Sequence, residues 1–185
     1  QGGHLELLKW ARSQGCPWGQ WTIALAAERG HLEVLKWALS QDCPYGLLSA
    51  RYAASGGHLE CLQWLRSQGC PWDGETCAYA AQGGHLELLK WARSQGCPWD
   101  KKTCLYAAEE GHLEILQWAR SPAEPGRDAE ASYQGCPWDK RTCVFAAKEG
   151  HLEILQWAIG NGCPYDIDRL KIYAKDDDNP LILEY

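Results

Sequence analysis

Methionine is absent from all 185 residues, position 1 included, and the chain opens at Gln1 partway through a line that it later repeats. Both features predict a segment of a longer chain. No run of about 18 apolar residues occurs, so nothing in the sequence inserts into a membrane as a helix. Nor does a charged-then-apolar leader precede the first repeated line, and the chain reads as soluble. Excess positive charge is also missing. Basic and acidic residues are interspersed around a net charge of -6, which leaves no electrostatic footprint for a phosphate backbone and argues against nucleic acid as a partner. C-x-x-C spacings and paired histidines are lacking too, so four converging zinc ligands are not written here. No metal and no cofactor is expected.

What the sequence has in abundance is itself. The line GHLELLKWARSQGCPWD (Gly84 to Asp100) has near copies beginning at Gly3, Gly30, Gly57, Gly111 and Gly150. His4, His31, His58, His85 and His112 are each 27 residues apart; His151 follows after 39, which is 27 plus the 12 residues of PAEPGRDAEASY, Pro122 to Tyr133. Removing that insertion restores the register. A fixed period of this kind decides the architecture before any other feature. It divides the chain into one array over 1–165, with units 1–18 (partial), 19–45, 46–72, 73–99, 100–138 (carrying insertion 122–133) and 139–165. Residues 166–185 form a degenerate repeat or cap.

Each unit predicts two short helices. In DKKTCLYAAEEG, Asp100 is placed to cap an N-terminus, Cys104, Ala107 and Ala108 share a face, and Gly111 ends the helix. In HLEILQWARS, Leu113, Leu116, Trp118 and Ala119 make an apolar stripe with Glu114 and Gln117 outside it. QGCPW then turns the chain, because proline cannot continue a helix and glycine supplies the free backbone angle. Helices of about ten residues are marginal alone in water, and a pair of them cannot bury its own stripe. Stacked copies cover one another, so the core becomes a row and every copy needs the same residues. The fold class is an all-α solenoid of helix-turn-helix units.

The segment TCLYAAEEGHLEILQWA (Thr103 to Ala119), with counterparts starting at Thr22, Thr76 and Thr142, resembles the ankyrin repeat, whose line carries an A-A-x-x-G-H-L-E core. The resemblance extends over residues 1–165. Ankyrin repeats usually run to about 33 residues and open with T-P-L-H, whereas this chain has T-C-x-x and a shorter period. The missing residues fall after C-P-W/Y, where ankyrin repeats carry a β-hairpin. A tight loop with little or no strand is therefore expected there. The resemblance further implies that the histidine of each G-H-L-E bonds the turn backbone, and that loop tips and first helices line a concave face that grips other proteins.

Ten cysteines raise the question of chemistry. Six sit in C-P-W or C-P-Y (16, 43, 70, 97, 136, 163), three in first helices (77, 104, 143), and Cys61 in a second helix. Equivalent cysteines lie about one helix spacing apart, roughly 10 Å, too far to bridge. The pairs seven apart (70 with 77, 97 with 104, 136 with 143) come closer, but other copies put Ile23 and Ala50 in the partner slot, which marks it as an apolar position. Buried free thiols are expected, and so many of them point to a reducing intracellular compartment, cytoplasm or nucleus. A Cys-Pro dipeptide also resembles a haem-regulatory motif, yet here the turn explains the proline and packing the next aromatic. Six equivalent histidines argue for a structural duty over catalysis, and the glutamates beside them (6, 33, 60, 87, 114, 153) suit the positive end of the helix dipole. Tryptophans 10, 37, 64, 91, 118 and 157 share one slot, and 18, 72, 99 and 138 share another with Tyr45 and Tyr165. Periodic placement means packing. Trp21 stands outside the pattern, exposed, as partner anchor or local cover.

Positions that differ between copies are not dictated by packing. They are Gln20, Trp21, Leu47, Leu48, Gly74, Glu75, Lys101, Lys102, Lys140 and Arg141 at the start of the first helix; Ala24, Arg51, Ala78, Leu105 and Val144 in its middle; and Glu28, Arg29, Ser55, Gln82, Glu109, Glu110, Lys148 and Glu149 at its end. These form the candidate protein-binding surface. The insertion, with two prolines and few apolar residues, is expected to loop out. No catalytic residues are assigned. The expected function is a non-catalytic scaffold or adaptor for another protein; the alternative is a targeting segment of a larger enzyme, such as a ubiquitin-ligase adaptor or a kinase, whose catalytic part is not in this sequence.

Overall fold

Two helical patterns per period become a row of helix pairs. The structure is a computed structural model that describes residues 4–121 and 135–176. Twelve α-helices run through them: α1 (Leu5–Ser13), α2 (Gln20–Glu28), α3 (Leu32–Ser40), α4 (Leu47–Ser55), α5 (Leu59–Ser67), α6 (Gly74–Gln82), α7 (Leu86–Ser94), α8 (Lys101–Glu109), α9 (Leu113–Arg120), α10 (Lys140–Lys148), α11 (Leu152–Gly160) and α12 (Ile167–Asp176). Even numbers are first helices and odd numbers second helices. No β-strand occurs among the described residues. The 122–133 insertion lies outside them, as does the chain after Asp176.

Starts and stops follow from local chemistry. The carboxylate of Asp100 accepts the N–H of Lys102 at 2.8 Å, and that of Asp139 accepts the N–H of Arg141 at 3.0 Å, each satisfying an orphan donor of the first turn. In three other copies the hydroxyls of Thr22, Ser49 and Thr76 reach back to the N–H of Gly19, Gly46 and Asp73 at 3.4–3.5 Å. First helices stop at glycine in the left-handed region, for example Gly84 at φ +77°, and the following His85 N–H closes on Ala80 O at 2.9 Å. Second helices end the same way at Gly69 (φ +80°), with Cys70 N–H on Leu65 O at 3.0 Å. Such a C-cap favours a residue without a Cβ penalty.

First helices pack side by side, α2 on α4, α4 on α6, α6 on α8, α8 on α10 and α10 on α12, and each of α2 to α10 packs on its own second helix. The double alanines of A-A-x-x-G (Ala53/Ala54, Ala80/Ala81, Ala107/Ala108) are fully buried between them. Short side chains let the backbones approach. Each second helix then inserts apolar residues, such as Leu62 and Leu65 or Ile115 and Leu116, into one continuous core. Burying each of those side chains is worth roughly 1.5–3 kcal/mol.

Three expectations need correction. The second-helix stripe is centred on Ile115, Leu116 and Ala119, with Leu113 and Trp118 only half-buried at its margins. Ala24, Ala78, Leu105 and Val144, assigned to the variable surface, are buried, because each first helix packs against its neighbouring first helices; of that set only Arg51 reaches out. Tryptophan periodicity does not guarantee packing either. Helices α1 and α7 share the sequence LELLKWARS, yet Leu88 is 3% exposed while Leu7 is 59% and Trp10 61% exposed. Among the described residues no helix precedes α1 to cover that side.

The loops that replace a hairpin are stapled by side chains. The Arg66 guanidinium lies 4.1 Å over the Trp72 ring and donates to Cys70 O. Trp72 in turn meets Trp91 of the next unit edge-to-face at 5.8 Å. The same set recurs as Arg12, Trp18 and Trp37, as Arg93, Trp99 and Trp118, and as Arg120, Trp138 and Trp157.

Candidate functional site

The first helices present one shared face along the array, and its residues come from fixed helix positions. Position six carries Leu25, Tyr52, Tyr79, Tyr106, Phe145 and Ile172. This line was missed in the sequence because it keeps its apolar character from copy to copy and so was not among the variable positions. Trp21 joins it: its ring meets Tyr52 edge-to-face at 5.6 Å, Tyr52 stacks with Tyr79 at 6.3 Å, and Tyr79 lies 6.5 Å from Tyr106. Four aromatic rings from four successive first helices thus touch in series. At its N-terminal end the face is apolar and open, with Trp21 51%, Leu25 50% and Leu47 38% exposed. Leu48 sits beside them, half-buried.

Toward the C-terminal end charged residues take over, paired across rungs. Arg51 grips Asp73, with Nε to Oδ1 at 3.2 Å, and Lys102 pairs with Glu75. Asp139 holds Arg141 at 3.1 Å and Lys101 at 3.4 Å. Partial burial raises the Asp139 pKa, but the Arg141 and Lys101 partners outweigh it and hold the carboxyl below its ordinary value. Glu109 goes the other way, pushed up by burial and then by the nearby carboxylates Glu110 and Glu149. Lys148 pairs with Glu149 at 2.6 Å, and its ammonium lies 5.7 Å over Phe145. Gln82 reaches Glu110 at 3.4 Å. Gln20, Arg29 and Lys140 are exposed, and Glu28 is half-buried.

The histidines face the neighbouring repeat. Nε2 of His85 lies 2.9 Å from Ser55 O, that of His112 lies 3.1 Å from Gln82 O, and that of His151 lies 3.0 Å from Glu109 O. Each ring also covers the preceding turn: a Cβ on Gly57 would meet His85 at 2.5 Å. The imidazole is therefore a bond between units.

Nine of the ten cysteines are buried; Cys16, in the turn after α1, is exposed, contrary to the expectation for the set. The C-P-W/Y thiols donate inward to the carbonyl that begins the same unit's first helix, Cys70 to Gly46 O at 3.3 Å and Cys136 to Asp100 O at 3.2 Å. The thiols that touch are not seven apart. They are Cys77 with Cys97, Cys104 with Cys136, and Cys143 with Cys163, each joining a first helix to the turn that ends its own unit. Burial pushes both Cys61 and Cys70 up to about 11. No group of three or more His, Cys, Asp or Glu residues is arranged to hold a metal among the described residues, and no helix among them is long and apolar enough to cross a membrane.

Comparison with known proteins agrees with this geometry. The family model described as ankyrin repeats in many copies matches residues 23–66. No curated protein matches the chain. Among solved structures, the human ASB11 ankyrin repeat domain has a similar fold, with a TM-score of 0.53 and 18% identity over 79% of this chain and 70% of that one. Ankyrin repeat domains are in general protein–protein interaction modules. The helix pairs, the G-H-L-E turns and the matched segment are together similar to those of ankyrin repeat proteins.

Proposed function

We propose that the chain is a non-catalytic scaffold or adaptor that holds a protein partner on its first-helix face. The observation that carries this reading is the series of touching rings, Trp21, Tyr52, Tyr79 and Tyr106, ending at the exposed Trp21, Leu25 and Leu47. Aromatic side chains on a stiff support give large contact area at little cost in conformational entropy. The flanking ions (Glu75, Lys101, Lys102, Lys140, Arg141, Lys148) then supply orientation more than affinity. Because the buried thiols act as S–H donors, we also assign the protein to a reducing compartment.

Affinity capture with mass spectrometry tests the face. Trp21→Ala with Leu25→Ser, Tyr79→Ser, and Lys101→Ala with Lys102→Ala are compared with the unaltered chain, after circular dichroism establishes equal helicity. Partners retained by the unaltered chain should be lost from the first two variants. Identical capture by all of them would remove this face as the binding surface.

A further inference from the structure

Two units lack the staple that closes the other four, and in one of them the site it leaves is charged. In four copies an arginine stands three residues before the turn glycine and a tryptophan three after it: Arg12/Trp18, Arg66/Trp72, Arg93/Trp99 and, across the insertion, Arg120/Trp138. In each, the guanidinium lies 4.1–4.5 Å over the ring and donates to the cysteine carbonyl of the turn. In unit 19–45 the arginine is Leu39 and the tryptophan is Tyr45. Leucine has no donor. Among the described residues, no side chain is bonded to Cys43 O and no cation lies over Tyr45. The space that the guanidinium fills elsewhere is here part of a groove of about 570 Å³, lined by Leu39, Pro44, Tyr45, Trp64, Asp42 and Gln68.

Asp42 gives the groove its sign. Equivalent positions elsewhere are Gly15, Gly69, Gly96, Gly135 and Gly162, all in the left-handed region, and Asp42 holds that conformation too, at φ +58°. Its carboxylate makes no ion pair or hydrogen bond among the described residues. Unit 139–165 also replaces the pair, with Ile159 and Tyr165, but keeps glycine at 162. Among the described residues, only unit 19–45 combines an open ring, an unused carbonyl and a carboxylate. The one cation on the rim, Lys36, is turned to Glu33 at 2.8 Å.

We propose that this groove receives an arginine side chain from a partner protein, which takes the place that Arg66 and its equivalents hold within the chain. The guanidinium would stack on Tyr45, donate to Cys43 O and pair with Asp42, with flanking peptide along Leu39, Pro44 and Trp64. A flat ion with several donors suits a ring, a carbonyl and a carboxylate together; a lysine ammonium does not match that geometry. The site lies at the turn between α3 and α4, apart from the aromatic series of the first helices, and does not rest on that reading.

The probe is the peptide acetyl-Gly-Arg-Gly-amide, titrated into the full chain labelled with ¹⁵N, with citrulline and lysine peptides alongside. The Trp64 indole N–H and the Asp42 and Gln68 amides are followed. Saturable shifts are expected from the arginine peptide at millimolar concentration, and binding about tenfold weaker or worse from the other two. Leu39→Arg with Tyr45→Trp, which writes the internal staple of the other copies, should abolish the shifts in a protein of unchanged helicity. Asp42→Gly, the residue of the other copies, should weaken them about fivefold or more. Absence of saturable shifts, equal response to citrulline or lysine, or unchanged binding by the refilled variant would each overturn the proposal.

Discussion

His85 Nε2 lies 2.9 Å from the carbonyl oxygen of Ser55, thirty residues earlier in the chain, so the imidazole at the start of α7 closes the end of α4. His85→Ala leaves that carbonyl unpaired and opens space against Gly57. A loss of about 1–3 kcal/mol is expected in urea unfolding. His85→Gln, which keeps a donor, should lose less. Hydrogen exchange should rise first at the end of α4 and in the following turn; uniform loss of protection throughout would contradict a bond local to that junction.

Helices α1 and α7, identical in sequence, provide an internal control. Leu88→Ala creates a cavity in packed surroundings and should cost about 2–5 kcal/mol. Leu7→Ala, the same change in the same local sequence at 59% exposure, should cost less than about 0.5 kcal/mol. Paired denaturant titrations give both values.

The thiols predict a stoichiometry and an alkaline limit. With nine cysteines buried and Cys16 exposed, a thiol reagent at pH 8 should label one site quickly and the rest only after unfolding. For Cys61 and Cys70 the folded-state value, about 11, stands above the ordinary 9.0. The folded form thus keeps its protons where the unfolded form loses them. The resulting stability is fully present below pH 9 and is lost as pH rises toward 11. Urea midpoints should fall between pH 9 and 11, and Cys70→Ala should flatten that fall.

Arg93→Lys tests the turn staple. Lysine keeps the charge but neither lies flat on Trp99 nor reaches Cys97 O in the same fork. The expected cost is about 1 kcal/mol, with a changed tryptophan fluorescence spectrum as the local readout. An unchanged midpoint would mean that Trp99 and Trp118 hold the turn by themselves.

Asp42→Gly should act oppositely. A residue with a Cβ at φ +58° is strained relative to glycine, so the variant should gain about 1 kcal/mol in urea. Differential scanning calorimetry gives an independent measure.

The periodicity carried most of the architecture because each unit is local: Asp100 caps α8, Gly84 ends α6 and the turn histidines recur in register. What the sequence concealed depends on contacts between units. Ala24 and Val144 vary, yet lie buried where α2 and α10 meet neighbouring first helices. Tyr52, Tyr79 and Tyr106 hardly vary, yet line the open face. Variation marked surface only where a side chain points away from both neighbours, which no single unit discloses. The thiol contacts were hidden likewise, since Cys77 meets Cys97 through the folding back of the whole pair.

Four indole pairs share nearly one geometry: Trp18/Trp37, Trp72/Trp91, Trp99/Trp118 and Trp138/Trp157, with centroids 5.6–5.9 Å apart and planes inclined by 65–68°. Chromophores so close and so consistently tilted couple their electronic transitions, and the shared geometry couples each pair alike. Their rotational strengths add along the row, giving a split circular dichroism band that isolated indoles lack. Separation of the units at any of these four junctions therefore has an intrinsic optical signature that needs no attached dye.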